Sequence, residues 1–148
     1  MAGLNIVPVC LSYEYDHCDI NKIKELWQKR TEGSYQKGEF EDIDSIIKGI
    51  VGYKGRVHVA FGKPLTTVPA EPEQLAAVID HQIWQQYRLF PVNYLAAGQQ
   101  HASVDDAVIE LWQQRLQALP AAAAPMLSAL YAAPLVKQQL QQQTENCA

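Results

Sequence analysis

Residues 6–14 read IVPVCLSYE, and this stretch is the first strand of the fold that the sequence predicts. Its apolar run lies between Gly3 and a polar segment that starts at Tyr15, which is typical of a strand buried on both faces. Pro8 has no amide hydrogen to donate to a neighbouring strand, so we expect the run at a sheet edge or where a strand begins or ends. Residues at such a strand end are well placed to form one edge of a binding or catalytic site.

The segments that follow this strand alternate in pattern and predict an α/β fold. Residues 20–30 and 42–51 have apolar positions at helical spacing, whereas residues 56–61 alternate in the manner of a strand. We expect the two strands to pair or to lie side by side, joined through both helices as a parallel crossover. The sequence therefore predicts a partial sheet of few strands with covering helices.

Beyond residue 71 the sequence predicts helices only. One apolar face runs to Phe90 and is expected to end at Pro91, and another helix is expected to begin at Ser103. A last helix is predicted from residue 125 to about 143, where a Gln-rich end is expected to fray. The predicted division is residues 1–97 as part of one domain and residues 98–148 as an all-helical tail.

One segment of the tail carries no charge over 21 residues, between Arg115 and Lys137. A stretch of this length could cross a bilayer. Eight of its residues are Ala and three are Pro, so it gains little from insertion and loses helical hydrogen bonds. We expect a packed helical hairpin here, with contact at a membrane surface as the alternative.

Overall composition favours a globular protein of the cytoplasm. The 148 residues are 48% hydrophobic and 19% charged, and the formal net charge is −4. This charge gives no general attraction to nucleic acid or to anionic lipid. No basic segment precedes a sustained apolar run, so a secretory signal is not expected.

The three cysteines predict neither a disulfide framework nor a zinc site. Cys10, Cys18 and Cys147 are odd in number and widely spaced. The cluster at residues 16–19, Asp-His-Cys-Asp, offers metal-ligating side chains, but adjacent residues in one turn rarely converge on one ion. The favoured interpretation is a turn from strand to helix in which Asp19 caps the helix, without a metal.

Four segments carry a resemblance to a known family. They are IVPVCLSYEYDHCD (6–19), GSYQKGEFEDID (33–44), SIIKGIVGYKGRVHVAFGKPL (45–65) and IDHQIWQQYRLFPVNYLA (79–96). Together they resemble the C-terminal half of bacterial phospholipid/glycerol acyltransferases of the 1-acyl-sn-glycerol-3-phosphate acyltransferase group. The resemblance covers residues 4–97, about two-thirds of the chain.

The resemblance implies an activity together with the absence of its catalytic residues. Such enzymes transfer a fatty acyl group from acyl-CoA or acyl carrier protein to glycerol-phosphate or a lysophospholipid, without a cofactor. They use a His held by an Asp in an H-x4-D motif as general base, upstream of the block that residues 6–14 resemble. At most three residues of the family domain precede Leu4, so the resemblance implies a fragment that is inactive alone.

The resemblance also implies positions near the substrate and a cellular location. Pro8, Val9, Tyr13 and Glu14 correspond to the block that lies near the acyl-transfer site, and no catalytic residue is implied. The intact enzyme would work in the cytoplasm, in peripheral contact with the inner face of the cytoplasmic membrane. A fragment with uncovered strand edges is expected to self-associate.

His101 and Asp106 also have H-x4-D spacing, but we do not interpret them as catalytic. They lie downstream of the block that residues 6–14 resemble, whereas the family motif lies upstream of it. Asp106 is better explained as a first-turn acid of a helix, where the helix dipole favours negative charge.

Two other functions were weighed against the acyltransferase fragment. Residues 52–55, GYKG, resemble the G-x-x-G loop of KH-type RNA-binding modules, but here the loop joins a helix to a strand, so nucleic-acid binding is not expected. The second is a non-enzymatic scaffold protein that binds a partner or a membrane surface through its helical tail. This alternative stays open at the level of sequence.

Overall fold

The computed structural model describes residues 5–146, and in this range the chain forms six helices and a two-stranded sheet. The mixed α/β class is confirmed. Residues 1–4 and 147–148 lie outside the description, and with them Gly3, Leu4 and Cys147. The elements are β1 (Val9–Tyr13), α1 (Asp19–Glu32), α2 (Glu41–Val51), β2 (Val57–Phe61), α3 (Pro72–Gln86), α4 (Pro91–Ala96), α5 (Asp106–Gln117) and α6 (Ala124–Asn146).

The two strands pair antiparallel, so the predicted parallel crossover is wrong. Val9 lies opposite Phe61, Leu11 opposite Val59, and Tyr13 opposite Val57. A single helix between two strands returns the chain in the same direction and gives a parallel pair. Here α1 and α2 both lie between the strands, and the second helix allows one further reversal of the chain.

One face of this sheet is apolar and uncovered, which contradicts the predicted burial of the first strand on both faces. Cys10 and Ser12 on β1 are 2% and 0% exposed, because only their face of the strand is covered. The opposite face is formed by side chains that lie directly across from one another and that are 45–73% exposed. We call this the sheet's apolar face; it consists of Val9, Leu11, Val57, Val59 and Phe61.

Two helix boundaries differ from the prediction because of proline and capping geometry. The helix expected to reach Phe90 ends at Gln86, because the chain turns extended at Tyr87, with φ −65° and ψ 122°. Phe90, which precedes a proline, is extended as well, with φ −115° and ψ 163°. Pro91 therefore begins α4 and does not end α3. Likewise Ser103 does not begin a helix: the carboxylate of Asp105 accepts the amide hydrogen bond of Val108 at 2.9 Å and caps α5.

Residues from both predicted segments build a single core. Tyr15 and Val92 pack in the same cluster as Trp112 and Leu127, all 6% exposed or less. The stretch between Arg115 and Lys137 forms a turn between α5 and α6 and part of both helices, as expected for a packed hairpin. Across the described part of the chain, every helix is too short or too polar to span a bilayer.

Asp19 joins the start of α1 to α5 and α6. The prediction that it caps α1 is wrong, because Cys18 is the N-cap residue and Asp19 is already the first residue of the helix. Its carboxylate is 1% exposed and accepts hydrogen bonds from the Arg115 guanidinium at 3.0 Å and from the Tyr131 hydroxyl at 2.6 Å. The Tyr131 oxygen in turn accepts the amide of Asp16 at 2.9 Å. A buried charge of this kind is stable only while its partners remain, because an unpaired buried charge is costly.

Replacing Tyr131 with Phe is expected to lower the free energy of unfolding by about 1–3 kcal/mol, because the Asp16 amide and one lone pair of Asp19 lose a buried partner. Urea unfolding followed by circular dichroism measures this change. Tyr53→Phe is the matched control, since Tyr53 is 65% exposed and the change should cost less than about 0.5 kcal/mol. Equal effects of the two substitutions would contradict the role given to Tyr131.

Candidate functional site

A cavity of about 240 Å³ lies where the end of β1 meets α4 and α6. It is placed there by the sharp exit of the chain from α3, which brings Tyr87 beside the strand. The volume is near the lower end of what small-molecule sites occupy. The residues that line it are Leu11, Tyr13, Asp16, Tyr87, Asn93, Leu130, Tyr131 and Pro134.

The buried polar groups in the cavity wall are already committed to partners within the protein. The Asn93 side chain accepts the Phe90 amide at 2.7 Å and donates to the Tyr131 carbonyl at 2.9 Å, which ties α4 to α6. Burial, together with the negative charge of Asp19, raises the pKa of Tyr131, so its hydroxyl stays protonated and donating. The cavity is therefore suited to an apolar group and does not offer an acid–base pair.

Glu14 and Arg56 form an ion pair just beyond the ends of the two strands. The carboxylate is 5% exposed and accepts three hydrogen bonds from Arg56: from the backbone amide at 2.9 Å, from Nε at 2.9 Å and from Nη2 at 2.7 Å. Burial alone would raise the pKa of Glu14, but these bonds and the positive charge outweigh it and hold the pKa below its ordinary value. Glu14 is thus an ionised structural group.

The turn before β2 is shaped around this carboxylate. Gly55 has φ +61°, a conformation that side chains rarely adopt, and a Cβ there would lie 2.7 Å from Glu14 Oε2. The backbone can approach the carboxylate only because position 55 has no side chain. Residues 52–55, considered above as an RNA-binding loop, therefore form a turn that lets the backbone approach Glu14.

The four residues predicted near a substrate do not converge on one point. Tyr13 lines the cavity, whereas the next residue, Glu14, is bound to Arg56. Pro8 is buried just before β1, where its carbonyl accepts the amide of Gly62 at 2.7 Å. Val9 lies on the sheet's apolar face and is 48% exposed.

His101 and Asp106 each have another role. The His101 ring stacks on Tyr94 with ring centroids 3.9 Å apart, and its Nδ1 is hydrogen-bonded to the Ser103 hydroxyl at 2.6 Å. Asp106 is the first residue of α5 and supplies the first-turn acid. Within residues 5–146 no hydrogen bond or ion pair joins the two side chains, so the geometry of a catalytic pair is not present.

Asp16, His17 and Cys18 come closer together than their adjacency predicts. Their ligand atoms lie within 4.8 Å of one another, and His17 Nδ1 is buried without a hydrogen-bond partner. The Asp16 carboxylate, however, already accepts the Cys18 amide at 2.8 Å and Lys22 Nζ at 2.6 Å. Burial would raise the pKa of Asp16, but Lys22 outweighs it and holds the pKa below its ordinary value. A metal ion would have to displace Lys22.

Comparison with known proteins adds no relative: no protein-family model, no curated protein and no solved structure matches this chain. The sequence alone also missed the residues that organise the site. Arg56 is 42 residues from Glu14, and Arg115 and Tyr131 are 96 and 112 residues from Asp19. No local spacing pattern connects such partners.

Glu14 makes the stability of the protein depend on pH. Because its pKa is below the ordinary 4.5 in the folded chain, the stabilisation is complete above about pH 4.5 and is lost as the pH falls through the folded value. We expect Glu14→Gln to cost about 1–3 kcal/mol at pH 7 and to reduce the loss of stability as the pH falls below about 4.5. Urea unfolding at a series of pH values measures both effects.

Glu25→Gln is the control, because Glu25 forms a surface pair with Lys29 on the same helix. This variant should keep the pH dependence of the parent chain. If Glu14→Gln also kept it unchanged, the Glu14–Arg56 pair would not be the source of the acid sensitivity.

Proposed function

We propose that this chain is part of an acyltransferase that transfers a fatty acyl group from an acyl thioester to glycerol-phosphate or a lysophospholipid. The observation that supports the proposal is that the sheet has only two strands and an exposed apolar face. Within the described residues β1 and β2 pair only with each other, so both outer edges lack a strand partner and the apolar face is exposed. A lone two-stranded sheet is marginally stable in water, and this one fits as a piece of a larger sheet.

The position of the uncovered surface agrees with the resemblance. The IVPVCLSYE block, which resembles the block nearest the acyl-transfer site, supplies β1 and two of the five side chains of the sheet's apolar face. Tyr13 also lines the cavity beside α6, and the leucine and proline side chains in its wall suit a hydrocarbon segment. In this proposal Val9 and Tyr13 lie close to the acyl group, whereas Pro8 and Glu14 shape the backbone.

Acyl transfer in this family needs a His held by an Asp, and within residues 5–146 the one H-x4-D match, His101 with Asp106, does not form such a pair. The acceptor hydroxyl must lose its proton as its oxygen attacks the thioester carbonyl, and the thiolate then leaves. The H-x4-D pair that the family uses for this step belongs upstream of residue 6. We therefore expect no transfer by the chain alone, and transfer in the cytoplasm at the membrane surface when an upstream half is joined to it.

The test is a chimera in which residues 4–148 replace the corresponding C-terminal part of an active bacterial 1-acylglycerol-3-phosphate acyltransferase. We expect transfer from oleoyl-CoA to lysophosphatidate, and a loss of about 10²–10⁴-fold when the upstream His of the H-x4-D motif is changed to Ala. Thin-layer chromatography of the labelled product measures the rate.

Two controls make the result decisive. His101→Ala in the chimera should leave the rate unchanged, because His101 is bound to Ser103 and Tyr94. Residues 1–148 alone should give no product. A folded, monodisperse chimera without activity, or transfer by the isolated chain, would contradict the proposal.

A further inference from the structure

Helix α2 turns its apolar side to solvent. Six large apolar side chains on this helix and its N-cap are 51–75% exposed, and none of the residues within the helix is buried. We call them the α2 apolar face; it consists of Phe40, Ile43, Ile46, Ile47, Ile50 and Val51. An amphipathic helix normally buries such a stripe, so this orientation requires a cause.

The cause is the close approach of the opposite side of the helix to the turn after β1. Ser45, Gly49 and Gly52 lie on that side, and the Ser45 carbonyl accepts a weak hydrogen bond from Cys18 Sγ at 3.7 Å. A Cβ on Gly49 would lie 3.2 Å from His17 Nε2, and one on Gly52 would lie 2.7 Å from His17 Cβ. Only the glycine side of α2 fits against His17, which leaves the isoleucines outside.

The uncovered area is large enough for a protein interface. Six such side chains expose on the order of 600 Å², the upper end of what apolar patches on monomeric proteins reach. A stable interface of ordinary size buries about 800 Å² on each partner, with a polar rim around an apolar centre. The α2 apolar face supplies most of one partner's share.

The charges beside this face select the occupant. The first turn of α2 contains Glu41, Asp42 and Asp44, and the only basic residue of its last turn is Lys48. Helices that lie on anionic lipid have lysine and arginine on the polar side, so an anionic membrane surface is disfavoured. A partner helix that runs in the opposite direction would instead place its basic end beside these acids and oppose the helix dipoles favourably.

A second copy of α2, packed antiparallel to the first, would place a basic residue beside these acids. Asp44 and Lys48 lie two positions before and two positions after Ile46, on the same flank of the α2 apolar face. In an antiparallel pair related by a two-fold axis near Ile46, residues of the same flank meet, so Asp44 of each copy lies opposite Lys48 of the other. Within residues 5–146 of one copy, neither side chain has an ion-pair partner.

We propose that α2 is the contact between two copies of this chain, packed antiparallel with two symmetric Asp44–Lys48 ion pairs at the rim. The pairing does not depend on the acyltransferase proposal. It makes the α2 apolar face the buried centre of an isologous interface, and it orients the two copies by charge.

Sedimentation velocity in low salt tests the proposal. We expect the parent chain to be dimeric at about 100 μM, where a dimer with a dissociation constant near 10 μM is mostly formed. Asp44→Lys and Lys48→Asp should each weaken the dimer about tenfold or more, because each puts like charges opposite one another twice. The double variant Asp44→Lys/Lys48→Asp should regain the parent affinity.

A mixture of the two single variants gives the sharpest result, since each repels itself and attracts the other. We expect mostly heterodimer in the mixture and a clearly larger fraction of monomer in each separate sample. Glu25→Lys is the matched control: it changes the net charge by the same amount on α1 and should leave the dimer intact. Circular dichroism should show all variants folded, because Asp44 and Lys48 are exposed and Glu25 lies partly exposed on the surface of α1.

Several results would overturn the proposal. A monomeric parent chain, a dimer that Asp44→Lys leaves unchanged, or a double variant that stays monomeric would each do so. An Ile47→Asp variant that stayed dimeric would place the contact elsewhere, with the sheet's apolar face as the next surface to examine.

Discussion

The buried carboxylate of Asp19 is the interaction on which the described structure depends. It fixes the start of α1, receives the guanidinium of Arg115 from α5 and the hydroxyl of Tyr131 from α6, and is almost fully shielded from water. Arg115 also donates to the Asp16 carbonyl at 2.8 Å, so the turn after β1 is held at both of its ends. The sheet, the cavity and α2 all keep their positions through this turn.

The elements of this fold follow from local sequence patterns, but their arrangement depends on distant partners. Apolar spacing located α1, α2 and β2 to within two residues, because helix and strand periodicity is a local property. Asp19 also fits a helix cap by its local position, and only the distant Arg115 and Tyr131 give it a different role. The antiparallel pairing of β1 with β2 likewise depends on how two helices pack, which no short pattern records.

Two apolar surfaces remain uncovered, and different causes expose them. The sheet's apolar face is open because β1 and β2 are covered on one side only. The α2 apolar face is open because Gly49 and Gly52 fit against His17 and fix the orientation of the helix. The charge pattern around Ile46 could not be interpreted from the sequence alone, because its meaning depends on the direction in which α2 faces.

The DNA sequence that lies directly upstream of the Met1 codon tests the central claim, that this chain belongs to an acyltransferase. The proposed function predicts an H-x4-D segment there, followed by the E-G-T or G-R-S block that in the resembled family holds the acceptor phosphate, either in frame or displaced by a frameshift. Upstream DNA that encodes none of these in any frame would contradict the proposal, and it would favour a non-enzymatic scaffold that binds a partner or a membrane surface.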